Sequence, residues 1–148
     1  DCGKSKMSSL NLGNNFDTSS VTNMSRMFYS SLIEEVDLSN FNTSNVTNMA
    51  EMFRTGGRVK SITLGPNFDT SNVTSMRDMF AYCINMTALD VSDFDTSSVT
   101  DMQVMFNSCR KLKTLDLTSF SFTKNPKVLS CVLWHDITVT FKMSFSFG

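Results

Sequence analysis

Phe16-Asp17-Thr18-Ser19-Ser20-Val21-Thr22-Asn23-Met24 returns as Phe41-Asn42-Thr43-Ser44-Asn45-Val46-Thr47-Asn48-Met49, then from Phe68 to Met76 and from Phe94 to Met102. The steps between the leading phenylalanines are 25, 27 and 26 residues, and a further 26 lands on Phe120. A fixed period in this range marks a repeat architecture in which each unit buries its apolar face against its neighbours. The repeat therefore predicts a solenoid, and a repeat-built surface is most often used for binding.

The columns read straight down the units. Ahead of each motif lies an apolar-x-x-apolar-x-apolar segment: Met7, Leu10, Leu12; Ile33, Val36, Leu38; Val59, Ile62, Leu64; Met86, Leu89, Val91; Leu112, Leu115, Leu117. The last two positions of each set flank a polar residue, the alternation of a half-buried strand. Behind each leading phenylalanine, Val, Met, Met and Phe recur at i, i+3, i+6 and i+7, as in Val73, Met76, Met79, Phe80. That spacing predicts one face of a short helix. The Asp/Asn-Thr-Ser before it offers oxygens for a helix cap or an Asx turn. Asp17, Asn42, Asp69 and Asp95 share a column, but a calcium loop would gather several ligands within one unit. The two phenylalanine columns should form aromatic spines, and Phe80→Ala or Phe106→Ala should cost about 3–5 kcal/mol.

The motif Phe-Asp-Thr-Ser-x-Val-Thr-x-Met-x-x-Met-Phe-x-x-Cys-x-x-Leu-x-x-Leu-Asp-Leu-Ser, clearest from Phe68 to Val91 and from Phe94 to Leu117, resembles the BspA-like leucine-rich repeat of bacterial surface proteins and lipoproteins. The resemblance covers roughly residues 7–120. It implies cell-surface or extracellular display, adhesion to host or partner proteins, and no catalysis. It carries over no shared binding residues. Departures are local: the family's cysteine stands at Cys83 and Cys109 but is replaced by Ser31 and Gly56 earlier, and Gly65-Pro66 is inserted in the third unit. Gly13-Asn14-Asn15 is a similar irregularity in the first. These changes should widen loops and break the regularity of the exposed face near Thr63.

The expected fold is an α/β solenoid, leucine-rich-repeat-like, with about five short parallel strands and short helices on the opposite side. It occupies 1–120, and 121–148 is a C-terminal cap or the start of a following module. In that last segment Val139, Phe141, Met143, Phe145 and Phe147 alternate with polar residues as an extended strand. It is read as a cap, with an edge that pairs with another chain as the alternative.

The chain has 148 residues, 41% of them hydrophobic, with 13 basic against 14 acidic side chains. That balance leaves no basic stripe for nucleic acid, and no apolar stretch approaches the length of a membrane span. Asp1-Cys2-Gly3 reads as a processed or trimmed start. Cys2 reads either as a lipid-attachment residue or as a plain residue near a chain end. The five Asn-x-Ser/Thr sequons, beginning at Asn23, Asn42, Asn45, Asn72 and Asn85, follow from the motif's composition and are weak evidence of glycosylation.

Raw material for catalysis is scarce. His135 is the one histidine, with Cys131 four residues before it and Asp136 beside it. A thiol–histidine hydrolase or a metal half-site is the sharp reading, but two ligands do not complete a zinc site. No metal or cofactor is expected, and the chain is read as a non-enzyme. Cys83 and Cys109 share a column one repeat apart, near enough for a disulfide, yet free buried thiols fit the column better.

The outward strand positions are the candidate site. Asn11, Asp37, Thr63, Asp90 and Asp116 should form an exposed ladder, with Glu35 beside it. This row is acidic, short and free of large aromatic anchors, which favours shallow, avidity-based binding. It is not the threonine row an ice-binding surface would show. The expected function is a non-enzymatic surface or secreted adhesin-like module for a host or extracellular protein or a glycan, with site residues Glu35, Asp37, Thr63, Asp90 and Asp116. A structural spacer is the alternative, and a Cys131/His135 hydrolase the remote one.

Overall fold

The computed structural model describes residues 9–123, except 11 and 14, and residues 138–141. Five strands form: β1 Ser9–Leu10, β2 Glu35–Leu38, β3 Ser61–Leu64, β4 Thr114–Leu117 and β5 Thr138–Phe141. In β2 and β4 exposed and buried residues alternate, so Val36, Leu38, Leu115 and Leu117 enter the core and Asp37 and Asp116 face out. All pairing is parallel. Strands β1, β2 and β3 make one sheet and β4 and β5 another, with Asp37 opposite Thr63 and Asp116 opposite Thr140.

The expected α/β solenoid is not what forms. Among the described residues there is no helix, and the strands lie in two small parallel sheets instead of one continuous row. The reason is written in the backbone of the segment read as helical. Arg26, Glu51, Asp78 and Val104, each just before the second methionine of its repeat, sit at φ between 52° and 60°. A single residue in the left-handed region stops a right-handed helix. The amide groups go elsewhere instead. In the first repeat, Met27 donates to Met24 and Tyr29 to Arg26, closing tight turns, while Met24, Arg26, Phe28 and Ser30 donate sideways to Asn48, Ala50, Met52 and Arg54 at 2.9–3.0 Å. The same lateral bonds recur from Glu51 to Arg77, from Phe53 to Met79 and from Phe80 to Met105. Parallel bridges link Asn23, Asn48, Ser75 and Asp101 in sequence. Every third residue turns inward through a corner of the turn, which gives the same i, i+3 pattern as a helical face.

Two sets of side chains tie the repeats together. Thr18, Thr43, Thr70 and Thr96 are at most 2% exposed. Each hydroxyl donates to a carbonyl of the next repeat: Asn42, Asp69, Asp95 and Ser121, at 2.8, 2.7, 3.0 and 3.4 Å. Beneath them Phe28, Phe53, Phe80 and Phe106 stack with nearly parallel rings, centroids 5.5, 5.3 and 5.7 Å apart. The second phenylalanine row pairs Phe16 with Phe41 and, separately, Phe68 with Phe94 and Phe94 with Phe120. The methionines between the rows, Met49, Met52, Met76, Met79, Met102 and Met105, are fully buried, their flexible chains filling the gaps between rings.

The row of strands fails at the fourth repeat. Residues 88–91, the counterpart of β2 and β3, join neither sheet. The inserted residue of the third repeat lies just before this break. A β-carbon on Gly65 would stand 2.2 Å from the Ser39 carbonyl oxygen, so only glycine allows the longer turn to lie against the preceding repeat. On the side facing the fourth repeat, Ile62, Leu64 and Leu89 are left half-buried, whereas their equivalents Val36, Leu38 and Leu115 are buried.

Candidate functional site

The strands set out one face of short side chains. Glu35, Asp37, Ser61, Thr63, Ala88, Asp90, Thr114, Asp116, Thr138 and Thr140 are all exposed, and the expected site residues Glu35, Asp37, Thr63, Asp90 and Asp116 are among them. Asn11, the first residue of the expected ladder, lies outside the described residues, as do Cys131 and His135.

The aspartates of this face have a structural task as well. Each closes an Asx turn, Oδ1 accepting the amide two residues on: Ser39 to Asp37 at 2.9 Å, Ser92 to Asp90 at 3.0 Å, Thr118 to Asp116 at 2.9 Å. The Ser92 hydroxyl adds a second bond to Asp90 at 2.7 Å. The amide bonds hold the Asp37 and Asp90 carboxyls below the usual carboxylate range. Both are charged at neutral pH, and their turn bonds are all made by Oδ1.

The break at the fourth repeat turns part of this flat face into a cleft. A cavity of about 300 Å³ has Ile62, Leu64, Phe68 and Phe94 as its floor and Thr63, Asp90 and Asp93 at its rim. A wider hollow of about 480 Å³ adjoins it, sharing Ile62 and Asp90 and running across Leu89 to Asp116 and Thr140. The irregularity expected near Thr63 is where the cleft opens. Thr63, Asp90 and Asp116 border it, while Glu35 and Asp37 lie on the flat part of the face, outside both cavities.

The sequence reading missed a second cluster, on the turn side. The Arg54 guanidinium lies 5.9 Å from the Tyr29 ring and 5.2 Å from the Tyr82 ring, and Arg26 lies 5.6 Å from Tyr29. Glu51 joins both arginines, at 2.7 Å to Arg26 and 3.2 Å to Arg54. The hydrogen bond from Arg26 lowers the Glu51 pKa. Both tyrosines are about two-fifths exposed and flank a recess of about 230 Å³ with Gly56 and Ile84. The column alignment carried the signal: Tyr29 and Arg54 each follow the second phenylalanine of their repeat, and Tyr82 follows one place later.

Cys83 and Cys109 are free, buried thiols. Each donates to a carbonyl of the preceding repeat, Phe53 and Phe80, at 3.2 Å. The amide nitrogens of Asn45 and Asn72 donate to Ser19 and Ser44 at 2.8 Å, and that of Asn85 to Gly57. These sequon side chains are therefore engaged between repeats. Among the described residues no group of His, Cys, Asp and Glu is arranged to hold a metal ion, and no helix is long and apolar enough to cross a membrane.

Against known families, residues 4–120 match the model described as Mycoplasma protein of unknown function, DUF285. No curated protein and no solved structure matches the chain.

Proposed function

We propose that this chain, which belongs to the DUF285 family, is a non-enzymatic, adhesin-like binding module that meets a protein or glycan through its exposed strand face. The finer likeness to the BspA-like repeats of bacterial surface proteins, carried by the motif from Phe68 to Val91, points to display at the cell surface or outside the cell. The observation that carries the reading is the cleft that interrupts this face. In β2 and β4 the inward residues are sealed in the core, but here, in the middle of the repeat row, Ile62, Leu64 and Leu89 are half-buried beneath charged carboxylates. An open apolar floor with a few polar groups is the ordinary composition of a binding site. Short outward side chains leave it accessible to a large partner.

The test is binding to immobilised extracellular-matrix proteins and glycans, with an Asp37→Ala/Asp90→Ala/Asp116→Ala variant alongside. Saturable binding by the native chain, weakened about tenfold or more in the variant, is the expected result. Unchanged binding in the variant would move the site to the Tyr29–Arg54–Tyr82 cluster, whose tyrosines and arginine are the residue types enriched at interface hot spots. No binding to any of these partners would favour a spacer that presents another domain.

A further inference from the structure

We propose that the cleft between β3 and residues 88–93 is a docking groove for an extended, lysine- or arginine-bearing segment of a partner protein. This rests on reading the strand face as the binding face, and it adds the chemistry of the partner.

Charge gives the first argument. The chain is nearly neutral, with 13 basic and 14 acidic side chains. Its exposed strand face is not: the charged residues there are Glu35, Asp37, Asp90 and Asp116, with no lysine or arginine among the described outward positions. Asp93 adds a further carboxylate at the cleft rim. A face of one sign on a balanced chain selects a partner of the opposite sign and repels its own.

The floor gives the second. Lysine and arginine carry a charged head on an apolar stem, and such side chains lay the stem along apolar surface while the head stays in polar surroundings. Half-buried Ile62, Leu64 and Leu89 supply that surface, and Asp90 and Asp93 stand at its margin. A volume of about 300 Å³ suits a side chain of this length. The backbone gives the third argument and decides the source. Residues 88–91 lie at the edge of the groove and pair with neither sheet. An edge left out of a sheet in this way is matched by another backbone, as in strand addition, and a free polyamine has none to offer.

The test uses the native chain, isotope-labelled, titrated with acetyl-Gly-Lys-Val-Lys-Val-Gly-amide and with the same peptide carrying glutamate for lysine. Spermidine is titrated as the non-peptide cation. Two variants run beside it. Asp90→Asn/Asp93→Asn removes charge while the new amide oxygen at position 90 still accepts the turn amide; Asp69→Asn removes one charge at a turn where the second repeat already has Asn42. The expected result is saturable binding of the lysine peptide, with amide shifts centred on residues 62–65 and 88–93. That binding should weaken about tenfold in the double variant and change less than about twofold in Asp69→Asn. Equal binding of the glutamate peptide, equal affinity for spermidine, or no loss in the double variant would overturn the proposal. If the lysine peptide fails while matrix protein or glycan binding persists and is lost in the triple alanine variant, the partner chemistry falls and the binding face stands. If neither binds, both fall.

Discussion

Thr70 joins two repeats through one oxygen: its hydroxyl donates to the Asp95 carbonyl at 3.0 Å and accepts the Asp95 amide at 2.9 Å. Thr70→Val keeps the shape and strands both backbone groups, so it should lower stability by about 1–3 kcal/mol in urea unfolding, with Thr70→Ser recovering most of the loss. From sequence this threonine reads as a local cap; its true partner lies 25 residues away, and no local rule reaches that far. The aspartate beside it was more legible, because an Asx turn closes within two residues, as Asp69 does with Ser71. The thiols make a second residue-scale case. Burial pushes Cys83 up to about 11 and raises Cys109 as well. Both should resist alkylation at neutral pH in the folded chain and react once it unfolds. Their raised values also fix a sign. The unfolded thiols ionise near 9.0 and the folded ones later, so this contribution to stability is complete below pH 9 and is lost as pH rises through 11. A pH series of urea midpoints checks it.

At the scale of elements, strands and turns differ in how far the sequence shows them. The alternation around Val36, Leu38, Leu115 and Leu117 reports a strand and its faces directly, because the period of two belongs to the backbone itself. The Val-Met-Met-Phe pattern does not distinguish a helix from successive turns, since both return a side chain inward every third residue. What separates them is the left-handed residue ahead of the second methionine. Arg, Glu, Asp and Val fill that place here, and none announces it as glycine would. The break at the fourth repeat was legible only in part: Gly65-Pro66 marked an irregularity near Thr63, but the close approach of Gly65 to Ser39, one repeat apart, was not. Gly65→Ala is expected to cost about 1–3 kcal/mol, because the clash is with backbone that has no rotamer to move. The strand face was thus readable from alternation and the place of its irregularity from Gly65-Pro66, while the shape of the cleft was not. If the turn carries the cleft, Gly65→Ala should also shift the amide resonances of residues 88–93 in a heteronuclear spectrum, where an ordinary surface substitution would leave them in place.

Across the whole molecule, stability is carried by rows that run from repeat to repeat. Phe80 touches Phe53, Phe106 and Phe94, whereas Phe28 stacks on Phe53 alone at the end of its row. Phe80→Ala should therefore cost about 3–5 kcal/mol and Phe28→Ala less, measured as the shift in unfolding midpoint at constant slope. The backbone rows have a mechanical meaning. The lateral bonds from Met24 to Asn48, Met49 to Ser75 and Met76 to Asp101 join neighbouring repeats, while the bonds within a repeat close only short turns such as Met27 to Met24. A pull on the two ends of such a chain meets them one row at a time, as a zip and not as a clamp. Each released repeat of 25–27 residues yields roughly 90 Å of extended chain. Under load the molecule should lengthen in steps of about that size, a sawtooth that single-molecule pulling would record.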